Sequence, residues 1–405
     1  MQNPTPKTLP LWQTLVCGAV IVSMAMGIRH GFGLWMQPMT QEMGWGREDF
    51  ATAIGIQNLS WGLFGIFSGM LADRFGAFRV MVVSGVLYAL GLFGMANAAS
   101  PAWLALTVGL MVGAAQAGTT FAIVFGIIGR NIPAEKRSWA MGVVSAAGSF
   151  GQFLLVPTSS YMIEHIGWHQ ALLVLAAVMM LVLPLTLGLR EPAFAGGQAP
   201  ARQQSIWQAV REAFGYRSFQ LLMAGYFVCG FQVVFIGVHM PSYLKDQGLD
   251  PQVAGTALAL IGLFNIFGTY ATGSIGQHLP KNLLLSAIYI ARGVIISLFI
   301  FLPLSPMSVY LFAAAMGLLW LSTVPVTSAI VAQIFGVAHF SMLSGFVFMS
   351  HQLGSYMGVW LGGWVFDHTG SYNTVWYLTI ALSVFAALIN LPVREQGIQR
   401  MPVAA

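Results

Sequence analysis

Charged residues are scarce in this chain of 405 residues. Only 7% of its residues are Asp, Glu, Lys or Arg, whereas a soluble globular domain carries about 25%. Together with 57% hydrophobic residues and a mean hydropathy of +0.76, this excludes a soluble fold and indicates a protein that crosses a membrane many times. The pI near 9.3 does not indicate nucleic-acid binding, because the basic residues are spread over short loops.

Catalytic and metal-binding signatures are also missing. The sequence contains no Walker motif, no His-Glu-x-x-His, no nucleophile elbow and no cysteine pair at metal-ligand spacing. Its two cysteines, Cys17 and Cys229, both lie inside hydrophobic segments, so we expect no disulfide framework. We therefore expect a protein that is not an enzyme and needs no cofactor or metal. Without a nucleotide-binding domain, any transport must be driven by gradients of substrate or of coupled ions.

Acidic residues are absent from the interior of the hydrophobic runs. All twelve Asp and Glu can be placed in loops or at helix ends, whereas Arg29 and Arg292 lie inside hydrophobic segments. An arginine in the middle of a membrane helix costs about 2.5–3.5 kcal/mol on insertion scales, so it requires compensation. Since no carboxylate is available to pair with Arg29, its presence in the first segment indicates a visiting anion.

Twelve hydrophobic runs are long enough to cross a bilayer, for which a helix needs about 20 apolar residues. They cover residues 12–36, 49–71, 79–97, 102–128, 139–161, 170–189, 219–243, 252–275, 283–302, 307–333, 341–364 and 373–392. We therefore predict an all-α membrane protein made of two six-helix bundles, residues 1–189 and residues 219–405. The connection between them, residues 190–218, is rich in Pro, Gly and Gln over residues 191–204, which is typical of a flexible linker.

The distribution of Lys and Arg predicts the orientation. If the N-terminus is inside, thirteen of the basic residues lie inside, and only Arg47 and Lys245 lie outside. We therefore expect both termini and the linker to be cytoplasmic, in the inner (plasma) membrane. The first hydrophobic run is too long for a signal-peptide core, so we expect an uncleaved first span.

The two halves of the sequence repeat at a shift of about 203 residues. The aligned pairs include Gly27 with Gly230, Pro38 with Pro241, Gly151 with Gly354, and Glu164 with Asp367. Two similar six-helix halves that flank a central site are a transporter architecture, because the halves can rock about a site near the midplane.

The loop between the second and third spans carries the most specific motif, Gly69-Met-Leu-Ala-Asp73-Arg74-Phe-Gly76-Ala-Phe-Arg79. It resembles the signature loop of the major facilitator superfamily, Gly-x-x-x-Asp-Arg-x-Gly-x-x-Arg. The resemblance implies a conformational latch between the halves that does not contact substrate. A charged loop that only sets topology is the alternative. The corresponding loop of the second half has lost the acidic residue.

Shorter stretches resemble the monocarboxylate and oxalate–formate branch of that superfamily. They are Lys136-Arg137-Ser-Trp-Ala-Met-Gly142, Ala146-Ala-Gly148-Ser149 and Asp367-His-Thr-Gly-Ser-Tyr372. Two features depart from the animal monocarboxylate transporters. The acidic-Gly-aromatic motif that opens their first span is absent, and so is the arginine of their eighth span. These departures leave the identity of the substrate open.

The resemblance implies that spans 1, 4, 7 and 10 line a central cavity and that spans 2, 5, 8 and 11 form the interface between halves. Arg29 lies about 25 Å along the first span at 1.5 Å per residue, past the midplane. Its guanidinium can hold a carboxylate through two parallel hydrogen bonds. The alternatives are an arginine satisfied by backbone carbonyls or by His and Gln side chains, or one directed to an outer acid such as Glu42. The candidate substrate-binding residues are Arg29, His30, Gln116, Tyr226, Asn265 and His351.

Other polar and aromatic residues can complete this site, among them Asn58, Trp61 and Trp320. His351 is a candidate proton carrier or neutral donor, and the alternative is an interhelical polar contact. Arg292 lies on the ninth span, which should be peripheral. We therefore favour a structural role for it, with an inward reach and a part in coupling as the alternative. For His30, packing or hydrogen bonding is the alternative to a role in binding.

We therefore expect a monomeric secondary transporter in a lipid bilayer that moves a small organic anion, in first place a monocarboxylate, by alternating access. Either proton symport or anion exchange fits the sequence. An exporter of hydrophobic or cationic compounds is the alternative, but it would need a membrane carboxylate. A third hypothesis is a sensor or scaffold that transports nothing. The intact latch motif argues against it.

Overall fold

The computed structural model describes residues 9–132, 134–190, 205–336 and 339–398, and within these ranges it contains helices and no strand. The N-terminal half contains six spans. They are span 1 (Leu11–His30, then Gly33–Met43), span 2 (Arg47–Phe75), span 3 (Ala77–Ala96), span 4 (Pro101–Leu104, Ala105–Val112, Gly113–Thr119 and Phe121–Asn131), span 5 (Ala134–Ile166) and span 6 (Trp168–Met179, then Val182–Leu187).

A short helix, Ile206–Gly215, precedes the C-terminal half. The spans of this half are span 7 (Arg217–Asp246), span 8 (Pro251–Ile275), span 9 (Lys281–Phe301), span 10 (Pro306–Leu319, then Thr323–Phe335), span 11 (Phe340–Thr369) and span 12 (Asn373–Asn390). Eleven of the twelve spans are long and apolar enough to cross a membrane, counted over the described residues. Span 11 is not among them, although it has 30 residues and packs between spans 2 and 7.

The predicted all-α architecture is confirmed, since all twelve predicted spans are helical, and the structure adds breaks that the hydrophobic runs did not reveal. Span 1 is interrupted by a turn at residues 31–32, span 4 at Thr120, and span 10 at residues 320–322. The Ile206–Gly215 helix lies inside the segment that we predicted as a linker. Because residues 191–204 lie outside the described part of the chain, the proposed boundaries of the two bundles stay predictions.

The spans run between two ends of the molecule. The loops that join spans 1 to 2, 5 to 6, 7 to 8 and 11 to 12 lie at one end, which we call the Arg47 end. The described chain starts and finishes at the opposite end, the terminal end, where the Asp73–Arg79 loop also lies.

Glycines let the first helix of each half approach the fifth helix of that half closely. A Cβ added at Gly27 of span 1 would lie 2.5 Å from the carbonyl oxygen of Gly151 in span 5. In the other half, a Cβ at Gly354 of span 11 would collide with the carbonyl group of Phe227 in span 7. The repeat that aligned Gly151 with Gly354 thus corresponds to equivalent helix crossings in the two halves.

The two halves meet at the Arg47 end and part towards the terminal end. Along span 2, a Cβ at Gly55 would contact Tyr356 of span 11, and a Cβ at Gly62 would contact Met349. Further along span 2 towards the terminal end, no atom of the described residues lies within 4 Å of the place where a Cβ on Gly69 would stand. The structure therefore represents a state that is sealed at the Arg47 end and open at the terminal end.

Candidate substrate-binding site

Arg29 lies close to the middle of span 1, because the span continues to Met43 instead of ending near residue 36. Its Nη2 donates to Oδ1 of Asn58 at 2.5 Å, and its guanidinium carbon lies 4.8 Å from the ring centre of Trp61. The Nε–H of Arg29 is buried and has no hydrogen-bond partner among the described residues. A neutral amide and an aromatic face orient this arginine, but neither of them neutralises its charge.

A cavity of about 20 Å³ lies beside Arg29, which is room for about one water molecule. Its lining comes from both halves: Arg29, His30, Ile54, Gln57, Val233, Val234, Gly237, Val238 and Trp320. Both amide atoms of Gln57 and the indole Nε1 of Trp320 are buried without a partner in the described part of the chain. A buried polar group left unsatisfied costs about 1–3 kcal/mol. Three neighbouring side chains with unused hydrogen-bonding groups around one small cavity indicate a polar site, which in this state has room for a water molecule.

The structure places the predicted residue His30 beside Arg29 and buries the predicted residue Gln116 close to Tyr88. His30 lines the same cavity, and its Nδ1 lies 2.7 Å from the carbonyl oxygen of Met26, which leaves Nε2 for another partner. Gln116 of span 4 is fully buried. Tyr88 of span 3 lies close enough to interact electrostatically with both Arg29 and Gln116. Polar side chains of spans 1, 2 and 3 therefore lie close to the arginine.

Tyr226 and His351 form a separate polar group between spans 7 and 11. Their ring centres are 5.0 Å apart, and His351 Nδ1 lies 3.1 Å from Oε1 of Gln352. Nearby, the thiol of Cys229 lies 3.2 Å from the hydroxyl of Thr323. None of these side chains lines the cavity beside Arg29. In this state they are interhelical contacts of the C-terminal half.

Asn265 is bound to protein groups at both of its amide atoms. Its Nδ2 donates to Ser149 Oγ at 2.9 Å across the interface between halves. Its Oδ1 accepts from the backbone N–H of Leu321 at 3.0 Å and from the hydroxyl of Thr269 at 3.1 Å. In this state the side chain therefore supports the broken region of span 10 and has little capacity left for a ligand.

Arg292 is fully buried and hydrogen-bonded to the backbone of span 10. Its Nη2 donates to the carbonyl oxygens of Leu319 at 2.6 Å and Trp320 at 2.7 Å, and its Nε donates to Leu319 at 3.2 Å. Its Nη1 lies 3.4 Å from Oε1 of Gln232. In this state Arg292 therefore binds protein groups of spans 7 and 10, and its part in structure or in coupling stays a prediction.

The latch loop is exposed at the terminal end. Gly76 has φ +86°, in the left-handed region that favours glycine, and it joins spans 2 and 3 without a longer connection. Arg74 and Arg79 are exposed, and the side chain of Asp73 lies outside the described part of the structure. Gly69 has free space beside it. The role of these residues as a conformational latch stays a prediction.

The sequence interpretation missed a cluster at the Arg47 end, formed by Arg47, Asp246, Asp367 and Tyr372. Arg47, counted as an outer-loop cation, is 8% exposed. Its two terminal nitrogens donate to the carboxylate of Asp246 at 2.6 and 2.8 Å, and Nη1 also donates to Tyr372 Oη at 2.8 Å. Burial raises the pKa of the Tyr372 phenol, so its hydroxyl stays neutral. This Arg47 cluster joins span 2 to spans 7, 11 and 12.

Asp367 closes the same end by a different contact. Its carboxylate accepts the backbone N–H of Arg47 at 3.0 Å and of Glu48 at 2.7 Å. These are the first two N–H groups of span 2, which have no partner inside the helix. A residue of the C-terminal half thus caps a helix of the N-terminal half. Its repeat partner Glu164 is exposed and accepts from the side chain of Gln252 at 3.1 Å.

Two halves that flank a central polar cavity and contain interrupted spans define a secondary transporter by architecture. The family model of the Major Facilitator Superfamily matches residues 15–324 of this chain. The chain therefore belongs to the Major Facilitator Superfamily, and it is a multi-pass membrane transporter. Among the described residues, no group of three or more His, Cys, Asp and Glu side chains is arranged to hold a metal ion.

Several relatives match over nearly the whole chain. Monocarboxylate transporter 13 of Bos taurus is 26% identical over 399 residues, which cover 94% of this chain and 89% of that protein. The uncharacterized MFS-type transporter YcxA of Bacillus subtilis is 24% identical over 396 residues, with 94% of each chain covered. The multi-drug resistance efflux pump PmrA of Streptococcus pneumoniae is 24% identical over 371 residues, with 88% and 90% covered.

The fold is also found in solved structures. A bacterial homologue of the human lysosomal transporter Spinster, solved in an inward-facing and unoccupied conformation, superimposes with a TM-score of 0.75 at 16% identity. The match covers 95% of this chain and 96% of that chain. At this identity the likeness concerns the fold alone.

Proposed function

We propose that the protein transports a small organic anion, in first place a monocarboxylate, by alternating access about the Arg29 cavity. The observation that carries the proposal is an arginine whose Nε–H has no partner among the described residues, beside a cavity that also holds unused groups of Gln57 and Trp320. Within the same residues, no carboxylate pairs with this arginine. The cavity holds about one water in this state and must widen to admit an anion. A carboxylate bound there would neutralise the guanidinium and accept these donors, which compensates their burial.

The site is divided between the halves, and this division gives the ligand a mechanical role. Arg29 and Gln57 belong to the N-terminal half, and Trp320 belongs to the C-terminal half. A ligand held by both would draw the halves together around it and favour closure at the terminal end. Closure of that end must be accompanied by opening of the Arg47 end, since the halves rock about the site between them.

The distribution of basic residues supports a cytoplasmic terminal end. With that orientation, the structure represents an inward-open state. The similarity of the chain to monocarboxylate transporter 13 of Bos taurus supports a monocarboxylate as substrate. An anion and a proton together cross as a neutral pair, which makes proton symport one form of coupling, with His351 as the candidate carrier. Exchange of two anions needs no proton carrier and is the other form.

A second candidate is export of hydrophobic compounds, which the similarity to the efflux pump PmrA favours. A cationic drug would meet the uncompensated positive charge of Arg29 at the centre of the molecule. Export of neutral hydrophobic compounds carries no such conflict. Competition assays with both compound classes separate these readings.

The test is uptake of labelled lactate, pyruvate, formate and oxalate into proteoliposomes, with and without a pH gradient. Arg29→Gln should abolish uptake because it removes the positive charge. The amide keeps some hydrogen-bonding capacity, so the loss is assigned to the charge. Arg211→Gln is the matched control, since it removes an exposed arginine at the terminal end. Full transport by correctly inserted Arg29→Gln protein would refute the anion site. Uptake that increases with an inward proton gradient identifies symport, and trans-stimulation by unlabelled anion identifies exchange.

A further inference from the structure

Span 10 is interrupted beside the Arg29 cavity. The helix Pro306–Leu319 ends there, and the helix Thr323–Phe335 begins four residues further on. A helix that stops inside a membrane leaves backbone groups without intrahelical partners, and these must be satisfied by the surrounding protein. Trp320, the first residue of the break, lines the cavity together with Arg29.

Two side chains from neighbouring spans hold the two sides of this break. From span 9, Arg292 donates to the carbonyl oxygens of Leu319 and Trp320, at 2.6 and 2.7 Å from Nη2. From span 8, Asn265 accepts the N–H of Leu321 at 3.0 Å. The peptide groups on both sides of Trp320 are therefore held by side chains outside span 10.

The charge of Arg292 is compensated at the same place. Its guanidinium has no carboxylate partner in the described ranges, and it lies at the carboxyl end of the helix Pro306–Leu319, where the helix dipole is negative. Gln232 of span 7 holds the other side of the guanidinium at 3.4 Å, and Gln232 is itself fixed to Ser383 at 2.6 Å. Arg292 thus connects the break to spans 7 and 12 and is fully buried.

Trp320 lines the cavity and carries one unused donor. Its side chain is 1% exposed, its ring packs near Gly237 of span 7, and its Nε1–H has no acceptor among the residues that the structure describes. An indole donates one hydrogen bond and accepts none, so a buried indole without a partner calls for an acceptor from elsewhere. An anion in the cavity would supply that acceptor.

We propose that Arg292 is a positioning residue of the substrate site: by holding the break in span 10, it places the Trp320 N–H as the donor that the C-terminal half contributes to the bound anion. The inference rests on the proposed function, because it names a second group that contacts the same ligand. Arg292 itself does not contact the anion, and its effect passes through the Trp320 backbone.

Kinetics in proteoliposomes test the link between the two residues, using whichever of the four labelled acids is taken up fastest. Trp320→Phe keeps an aromatic ring and removes the donor, and we expect KM to rise about tenfold with little change in Vmax. Arg292→Lys should raise KM to a similar extent, because an ammonium cannot reach both carbonyl groups. The double variant should be no worse than the stronger single variant, since both changes remove the same interaction. Additive effects, or a fall in Vmax alone, would overturn the proposal.

Fluorine NMR of protein labelled with 5-fluorotryptophan reports the position of Trp320 independently of transport. The signal missing from Trp320→Phe identifies its resonance among the twelve tryptophans. We expect Arg292→Lys to displace this resonance. Asn265→Ala should displace it as well, because it removes the opposite support without leaving a buried charge. Ser286→Ala is the matched control, since it removes a hydrogen bond of span 9 that is directed to span 12.

The two measurements separate failure of this inference from failure of the proposed function. An unmoved Trp320 resonance in both Arg292→Lys and Asn265→Ala refutes the positioning role, whatever the substrate is. If Arg292→Lys and Asn265→Ala displace the resonance but Trp320→Phe leaves KM unchanged, the indole does not donate to the substrate. Full anion transport by Arg29→Gln refutes the anion site itself, and the resonance then still decides whether Arg292 positions Trp320.

Discussion

Removing the carboxylate of Asp367 should shift the protein away from the state that is sealed at the Arg47 end. Asp367 accepts two backbone N–H groups at the start of span 2, at 3.0 and 2.7 Å. Hydrogen bonds to a charged group contribute about 1.5–3 kcal/mol each, and a negative charge at a helix N-terminus adds about 0.3–1 kcal/mol. The side-chain amide introduced by Asp367→Asn would keep one carbonyl acceptor but lose the charge.

We therefore expect Asp367→Asn to weaken the seal by about 2 kcal/mol, which is roughly a 30-fold change in the equilibrium between sealed and open forms of this end. The matched control is Glu164→Gln, the equivalent position of the first half. Glu164 is exposed and accepts one hydrogen bond from a side chain. Substitution there should change the equilibrium by less than about 0.5 kcal/mol.

Double electron–electron resonance, which measures the distance between two spin labels, can follow this equilibrium. Spin labels at Gln41→Cys and Gln247→Cys, both exposed at the Arg47 end and in different halves, should report the gap. The native cysteines Cys17 and Cys229 are first replaced by serine. Asp367→Asn should add a population at longer distance that wild type and Glu164→Gln lack. If Asp367→Asn and Glu164→Gln give the same distance distribution, the helix cap does not stabilise the sealed state.

Three further predictions concern the packing and the charges. Arg47→Gln should lower the melting temperature because it removes the charged partner of Asp246, which then keeps only the amide of Gln37 as a side-chain donor, and adding Asp246→Asn should restore part of the loss in the same thermal assay; a double variant no more stable than Arg47→Gln would contradict this. Gly354→Ala should destabilise by about 1–3 kcal/mol, because its Cβ collides with span 7, whereas Gly345→Ala has open space and should melt like wild type. Arg29→Lys should transport anions with a raised KM, because an ammonium cannot bind a carboxylate through two parallel bonds; an unchanged KM would argue against bidentate binding.

The number and order of the membrane helices could be predicted because hydrophobicity is a local property of the chain. A run of about 20 apolar residues has few alternatives to a membrane helix, wherever the rest of the protein lies. The same runs concealed the breaks in spans 1 and 10. At Gly31 and at Ser322 the hydrophobic character hardly changes, and the break in span 10 depends on partners such as Asn265 and Arg292 in other spans.

The candidate site was predictable in part. Arg29 could be selected because the absence of membrane acids can be counted directly from the sequence. Gln57, which lines the cavity beside it, was overlooked although a Gln-Asn pair inside a hydrophobic run is a visible signal. Asn265 and His351 were selected for the same polarity, but in this state their hydrogen bonds go to protein groups. Polarity alone does not tell a ligand contact from a helix contact.

The sequence by itself determined that this is a twelve-span carrier with two arginines and no acids in the interior of its hydrophobic runs, since composition and periodicity need no knowledge of contacts. Only the tertiary structure decided what each arginine does. Arg292 has its donors filled by a broken helix, Arg29 keeps an unused N–H beside a cavity, and Arg47 is buried against Asp246, 199 residues away. The physical reason is that a charge in a membrane is defined by its partners, and the fold brings partners together from distant parts of the chain.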